Sequence, residues 1–409
     1  MPARRLYYGW YVVAVAVFGG VVSAGSSQLF MGSLLPAVRA STGWSDLSVS
    51  WALLLGTGAG GLLSPFAGRW MDRYGPRVML SAAAVVLAGG YLVIGLVPSL
   101  VGFFVGYVLL RGAAQGVLGG APQRAIAVSW FRARRGRAMG LLSMSVPLGG
   151  AGLALIGQAA LAHGATWRGV YGGLGVVTLA LLLPLCVAVM RRSPESLGLQ
   201  PDGAPAPAPG TAALPPEPDY TLRQALRTAA LRLLMLAATL GIAANGALIF
   251  YHVSFLTSRG IDAAWAVVCL SALALAGAGA NLAWGFLAER YSERMLAITA
   301  QLGAAAAVLC LAFGVSGATS ALAVSLLIGF AVRGESALTG LIVASYFGRG
   351  SFGAIAGLMG SFQLVGLGLG PVLAAALVGR TGSYAALYGA VCAALLVAAG
   401  LFTLARPPR

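Results

Sequence analysis

Gly68-Arg69-Trp70-Met71-Asp72-Arg73-Tyr74-Gly75-Pro76-Arg77 is the stretch that decides the fold. Four charged residues, two glycines and a proline are wedged there between apolar runs at 48–68 and 78–98. About 20 apolar residues suffice to cross a bilayer, so each run is long enough to be a span. A degenerate copy, Gly285-x-x-x-Glu289-Arg290-x-x-x-Arg294, follows another apolar run, with Gly285 standing 217 residues after Gly68. A second pair repeats at the same spacing. Trp130-Phe131 precedes Gly136 and Gly140, and Tyr346-Phe347 precedes Gly353 and Gly357. A chain that repeats itself over this distance, in parallel and across many apolar runs, describes two related halves.

Outward from that stretch, apolar runs fall at roughly 10–34, 48–68, 78–98, 101–128, 138–162 and 169–190. They resume at 229–256, 263–288, 295–315, 319–345, 352–378 and 382–405. The expected fold is an all-α membrane protein of twelve transmembrane helices in two pseudo-symmetric six-helix bundles. The expected boundaries are 1–190 for the first bundle, 191–228 for a linker and 229–409 for the second. The linker carries Ala204-Pro205-Ala206-Pro207-Ala208-Pro209 and Pro215-Pro216, which cannot bury enough apolar surface to fold. Arg223 and Arg227, with Leu222 and Leu226, suggest a short surface helix that leads back to the membrane.

The composition agrees. Only 9% of the 409 residues are charged, against about a quarter in a soluble domain. The 59 glycines let membrane helices approach backbone to backbone. The net charge of +16 does not describe a nucleic-acid surface, because no basic stripe interleaved with aromatics occurs. Every basic residue is an arginine, and most lie in alternate loops: Arg69, Arg73, Arg77; Arg132, Arg134, Arg135, Arg137; Arg191, Arg192, Arg223, Arg227; Arg290, Arg294; Arg349; Arg406 and Arg409. The opposite loops hold Arg39, Arg168, Arg259 and Arg380. The positive-inside rule puts both termini and the linker in the cytoplasm, which for a bacterial chain means a multi-pass protein of the inner membrane. Arg4-Arg5 before the first run imitates a signal peptide, but an uncleaved first helix keeps the number of spans even. Cys186, Cys269, Cys310 and Cys392 lie in apolar runs without metal or disulfide spacing.

The 68–77 segment resembles the cytoplasmic loop signature of the major facilitator superfamily, and the likeness in span number and repeat covers nearly the whole chain. The resemblance implies a transporter that works by alternating access, with Gly68, Asp72, Arg73, Arg77, Glu289, Arg290 and Arg294 forming a conformational latch. Asp72 is suited to meet a helix N-terminus and a neighbouring arginine. Two shorter segments, Tyr8-Gly9-Trp10-Tyr11-Val12-Val13 and Trp130-Phe131-Arg132-x-Arg134-Arg135-Gly136-x-Ala138-Met139-Gly140, resemble the monocarboxylate-porter branch. That resemblance implies a small organic anion such as lactate, pyruvate or oxalate as substrate, often moved with a proton. The branch usually places a substrate-pairing arginine in the eighth helix, four residues before the loop glycine. Here that position is Asn281, and the acidic partner one turn earlier is replaced by Gly277.

An ionisable residue at membrane depth costs about 2.5–3.5 kcal/mol on insertion scales and needs a reason to be there. Arg111 and Arg124 lie in the fourth run, Arg333 and Glu335 in the tenth. A guanidinium offers a two-pronged grip on a carboxylate, so Arg333 and Arg111 are candidates for the substrate anion. The structural alternative pairs Arg111 with Glu335. The motif Arg111-Gly112-x-x-x-Gly116 also resembles a fourth-helix motif of the superfamily, which favours a structural or coupling role for Arg111. Glu335 and His252 are the candidates for proton coupling. The block Tyr251-His252-Val253-Ser254-Phe255-Leu256-Thr257 resembles the end of the seventh helix in bacterial monocarboxylate porters, which sets Tyr251 and His252 near the solute. Gln28, Gln115, Asn281 and Gln363 complete the candidate substrate-binding set, with Asn245 a further polar group at depth. No nucleophile–base pair, metal cluster or phosphate loop points to an enzyme or to a cofactor. The reading is therefore secondary transport of a small organic anion by a monomer, with the proton as coupling ion. Drug or metabolite efflux by proton antiport and a non-transporting solute sensor are the alternatives.

Overall fold

The computed structural model describes residues 7–44, 46–203 and 219–408. The Pro/Ala run, Pro215-Pro216, Arg4-Arg5 and Arg409 lie outside them. Among the described residues all regular structure is helical. The first pass is broken: α1 (Tyr8–Ser23) leads through a 3₁₀ turn, Ala24–Ser26, into α2 (Gln28–Thr42). Next comes α3 (Asp46–Leu96), with 51 residues. Its apolar part, Trp51–Leu96, is 46 residues or about 69 Å long, more than twice the bilayer core. It is two passes joined at Gly75, where φ is 79° and ψ 168°. Only glycine adopts that geometry without a steric penalty, and Pro76 then starts the second arm in helical register.

The first half continues with α4 (Leu100–Ala113), a π-helical turn (Ala114–Leu118), a 3₁₀ turn (Ala121–Arg124) and the short α5 (Ala125–Trp130). Then come α6 (Arg135–Ala162), α7 (Trp167–Val177) and, after a second π-helical turn, α8 (Leu183–Val189). The six-residue α9 (Leu222–Arg227) starts in a capping box, in which Thr221 N donates to Gln224 Oε1 at 2.8 Å and Gln224 N to Thr221 Oγ1 at 3.3 Å. The second half comprises α10 (Ala229–Ser258), α11 (Ala263–Leu287), α12 (Glu293–Gly314), α13 (Ala318–Phe347), α14 (Phe352–Thr381) and α15 (Tyr384–Leu404). Among the described residues eleven helical stretches are long and apolar enough to cross a membrane, and the division of α3 at Gly75 makes twelve passes.

Residue contacts divide the chain into two units. Unit 1 holds the described residues up to Asp219 together with Arg349–Gly360, which includes the first turns of α14. Unit 2 holds Tyr220–Gly348 and the described residues from Ser361 on. Glycine sets the helix spacing in both. A Cβ on Gly90 would lie 2.7 Å from the Gly106 carbonyl oxygen, and one on Gly329 would strike the backbone of Leu273. Small residues replace the hydrophobic effect as the means of close packing where the solvent is lipid.

Candidate solute and coupling site

In unit 1 the signature loop sits at the arginine-rich end. Asp72 accepts from Gly353 N at 2.9 Å and from Ala354 N at 2.8 Å, so its carboxylate caps the first turn of α14. The glycines of the two repeat motifs make this possible. A Cβ on Gly68 would strike the Gly353 carbonyl, and one on Gly353 would stand 2.5 Å from Asp72 Oδ1. A Cβ on Gly357 would meet the Ser64 carbonyl. No ion pair joins Asp72 to an arginine among the described residues, because both carboxylate oxygens are taken by backbone amides. Arg73 and Arg77 point outward, Arg73 lying over Tyr74 at 5.4 Å. In unit 2, Glu289 and Arg290 occupy a turn after α11, whose amides bond to the Phe286 and Leu287 carbonyls. Arg294 lies in the first turn of α12, and Tyr346, near the end of α13, donates through Oη to Ala405 O at 3.0 Å.

The two short aromatic motifs of the first half meet. Trp10 lies 4.6 Å from Phe131, and Tyr8 5.7 Å from Trp130, between ring centroids. Gly9 brings the backbone against the Phe131 ring. Tyr7 donates to the carbonyls of Trp130 (3.2 Å) and Gln200 (3.1 Å). Burial, aided by the charges of Asp202 and Glu195, pushes its hydroxyl up to about 12, so it keeps its proton at physiological pH. Asp202 receives the amides of Arg132 (2.7 Å), Ala133 (2.6 Å) and Arg134 (3.1 Å), directly before α6. The starts of α6 and α14 correspond in the repeat, and a carboxylate crowns each.

Deeper in unit 1, the break between α1 and α2 exposes carbonyls that the helix no longer bonds. Tyr91 Oη donates to Val22 O at 2.5 Å and Tyr107 Oη to Ser26 O at 2.9 Å. Arg111 Nη1 also donates to Ser26 O, while its Nε donates to Thr57 Oγ1 at 2.7 Å. Arg111 therefore closes the break in the first pass. Gly56 and Gly60 make room for the stems of Arg111 and Gln115, each Cβ position lying 2.9 Å from the side chain it faces. Gln115 Oε1 is buried without a partner, and Gln28 is exposed at the start of α2.

Unit 2 presents its depth charges differently. Arg333 lies along Gly277 of α11, in the space that a side chain at 277 would fill. Among the described residues it has neither a hydrogen bond nor an ion pair. Asn281 donates through Nδ2 to the Gly277 carbonyl at 3.1 Å, and its Oδ1 is buried without a partner. Trp284, one turn on, donates to Phe330 O at 2.9 Å and lies against Gly334, so Arg333, Asn281 and Trp284 share the α11–α13 seam. Glu335 faces the other way. Its carboxylate and the Gln301 carboxamide of α12 both crowd Gly241 of α10, and among the described residues Glu335 Oε1 and Gln301 Nε2 lack partners.

His252 is wholly buried. Its Nε2 lies 2.9 Å from Ser325 Oγ, and that hydroxyl donates its only proton to Ala321 O at 2.7 Å. The other ring nitrogen, Nδ1, is buried with no partner among the described residues. Tyr251 packs edge-on to Phe250 (5.3 Å) and Tyr384 (6.1 Å), and Gln363 is half-buried on α14. Among the described residues Asn245 Oδ1 has no partner. Sequence reading missed Gln301, the polar neighbour of Glu335, although it is the one carboxamide in its apolar run. It also missed Asp202, which nothing in a Pro-rich linker marks as a cap.

The profile described as Major Facilitator Superfamily matches residues 16–282 and 268–409. An uncharacterized MFS-type transporter, YcxA of Bacillus subtilis (strain 168), is 29% identical over 173 residues, 42% of this chain and 41% of that protein. The MFS-type transporter pytF of Aspergillus terreus is 31% identical over 194 residues, 46% of this chain and 60% of that protein. These alignments span less than two thirds of either relative. Among solved structures, FucP, a major facilitator transporter in the outward conformation, has a TM-score of 0.74 at 12% identity, covering 97% of this chain and 100% of that one. The proton:xylose symporter XylE bound to 6-bromo-6-deoxy-D-glucose has a TM-score of 0.70 at 12% identity, covering 97% and 94%. At that identity the likeness is one of fold.

Proposed function

The chain belongs to the major facilitator superfamily, and from that premise we propose that it moves a small, monocarboxylate-like organic anion across the bacterial cytoplasmic membrane by proton-coupled alternating access. Its termini lie in the cytoplasm and it acts as a monomer. The observation that carries this reading is Arg333, a guanidinium at membrane depth to which no described residue offers an acceptor. A buried charge is tolerated only when it is paired, and a carboxylate solute supplies the missing partner. Asn281, on the same seam, adds an acceptor for a hydroxyl or a carboxylic proton. Glu335 is the proton carrier, since a buried carboxyl that gains and loses a proton changes the charge of unit 2 within one cycle. The latch of Asp72 on α14 is the element that opens and closes with that cycle.

Uptake of radiolabelled lactate, pyruvate and oxalate into proteoliposomes, under inward and outward pH gradients, tests the proposal. Gradient-dependent uptake that Arg333→Gln abolishes is the expected result. Absence of carboxylate uptake under every gradient, or uptake untouched by Arg333→Gln, overturns it. The XylE likeness makes xylose the informative neutral control solute.

A further inference from the structure

Arg168, half-buried, lies in unit 1 at the end opposite the arginine-rich loops. Three connections meet there: the end of α2 with Gly43 and Trp44, the turn between α3 and α4, and the start of α7. They form an open cleft of about 470 Å³ lined by Ser41, Thr42, Trp44, Pro98, Thr166, Trp167 and Arg168. That volume falls within the range of small-molecule sites. Arg168 lies over two indoles, 4.9 Å from the Trp167 ring centre and 6.0 Å from that of Trp44. Among the described residues it makes no hydrogen bond and no ion pair. Stacking engages only the face of a guanidinium and leaves its N–H edge free to donate.

The walls are fixed before any ligand arrives. Trp167 Nε1 donates to Ser41 Oγ at 2.7 Å, and its ring meets Trp44, Phe103 and Tyr171 edge-on at 6.2–6.3 Å. Trp44 rests on Phe103 at 5.3 Å, and its amide donates to Thr42 Oγ1 at 3.3 Å. The hydroxyl of Thr166 caps α7 through Gly169 N at 3.0 Å, which sets Arg168 in the first, electropositive turn of that helix. A guanidinium with a free edge, set over indole rings and beside a helix start, has the chemistry of an oxyanion receptor with an apolar flank.

We propose that this cleft binds a small oxyanion bearing an apolar body, held by the edge of Arg168 and flanked by Trp44 and Trp167, at a site separate from Arg333. The oxyanion has two possible sources, an organic carboxylate from solution or the phosphate of an anionic lipid at the membrane surface.

Two of the walls are fluorescent, which supplies a readout independent of transport. The protein carrying Arg333→Gln is placed in phosphatidylcholine nanodiscs and titrated with benzoate and with inorganic phosphate. A saturable change in tryptophan emission is expected, which adding Arg168→Gln removes and adding Trp44→Phe reduces. Arg168→Lys, which keeps the charge but loses the flat stacked fork, should weaken benzoate roughly tenfold or more, the loss expected for one charge-assisted hydrogen bond. If phosphatidylglycerol replaces part of the lipid and abolishes the benzoate response, the lipid phosphate is the occupant. If the response persists, the occupant is the solution carboxylate. The proposal is overturned if benzoate, phosphate and phosphatidylglycerol all leave the emission unchanged, or if Arg168→Gln, folded by circular dichroism, responds as its parent does. The second result would identify Arg168 as an aromatic-belt anchor only. Because Arg333→Gln is present throughout, failure here leaves the transport reading standing, and the converse also holds.

Discussion

Arg111 and Arg333 occupy corresponding passes of the two repeats, the fourth and the tenth, yet they are spent in opposite ways. Arg111 repairs a broken helix: its donors go to the Ser26 carbonyl and to Thr57, beside the tyrosines that hold the same break. Arg333 lies along a bare glycine and has no polar partner among the described residues. The repeat does not superpose the two, since the 217-residue offset carries Arg111 onto Ile328 and Arg333 onto Gly116. The difference teaches that a charge at membrane depth marks function by what it lacks. Arg111 is satisfied by the scaffold, whereas Arg333 is the one that the proposed function assigns to a solute.

Substituting each arginine separately is the sharpest way to break this comparison. Arg333→Gln should cost solute affinity by roughly tenfold to a hundredfold, the worth of a charge-assisted contact of about 1.5–3 kcal/mol, with the melting temperature held or raised. Equilibrium binding and thermal unfolding of the same detergent preparation check both halves of that statement. Glu335→Gln should abolish uptake driven by a pH gradient while leaving solute counterflow intact, because exchange needs no net proton movement; a parallel loss of counterflow would make Glu335 a structural group. Arg111→Gln should show the reverse of Arg333→Gln. The Ser26 carbonyl keeps its Tyr107 donor, but losing the Arg111 donations to Ser26 O and Thr57 Oγ1 costs about 1.5–3 kcal/mol. The melting temperature should then fall by several degrees while the affinity of the surviving folded protein stays near that of the parent. The smallest effects belong to the two helix caps. Asp72→Ala and Asp202→Ala should each destabilise by about 0.5–2 kcal/mol, as lost N-caps do. Only Asp72→Ala should alter the rate of solute exchange, if the cap on α14 is the one that opens. Equal changes in exchange rate for the two variants would end the distinction between latch and cap.

Particular residues show how far the sequence could be read. The 68–77 loop and its copy at 285–294 announce the repeat, and twelve passes follow from run length alone. The aromatic motifs at 8–13 and 130–140 were visible as motifs, but nothing in their spacing said that Trp10 rests on Phe131. Asp72 could be matched with a helix N-terminus in general, whereas Gly353 and Ala354 as its donors depend on how two distant glycines approach. The 111–116 motif inclines Arg111 to a structural role, but which of Arg111 and Arg333 is satisfied is a property of neighbours that the sequence does not show. Gly277 read as a missing carboxylate, and in the structure it is the space that Arg333 fills.

What the sequence determined by itself is the solvent and the repeat. Lipid demands long apolar helices, so hydropathy counts the spans, and the 217-residue spacing of glycines pairs them into halves. Tertiary structure decided which polar groups are spent. The partners of Asp72, Arg111 and Asp202 come from segments 54 to 282 residues away in the chain. Whether a buried charge is scaffold or receptor depends on distances of about 3 Å, which no linear pattern encodes.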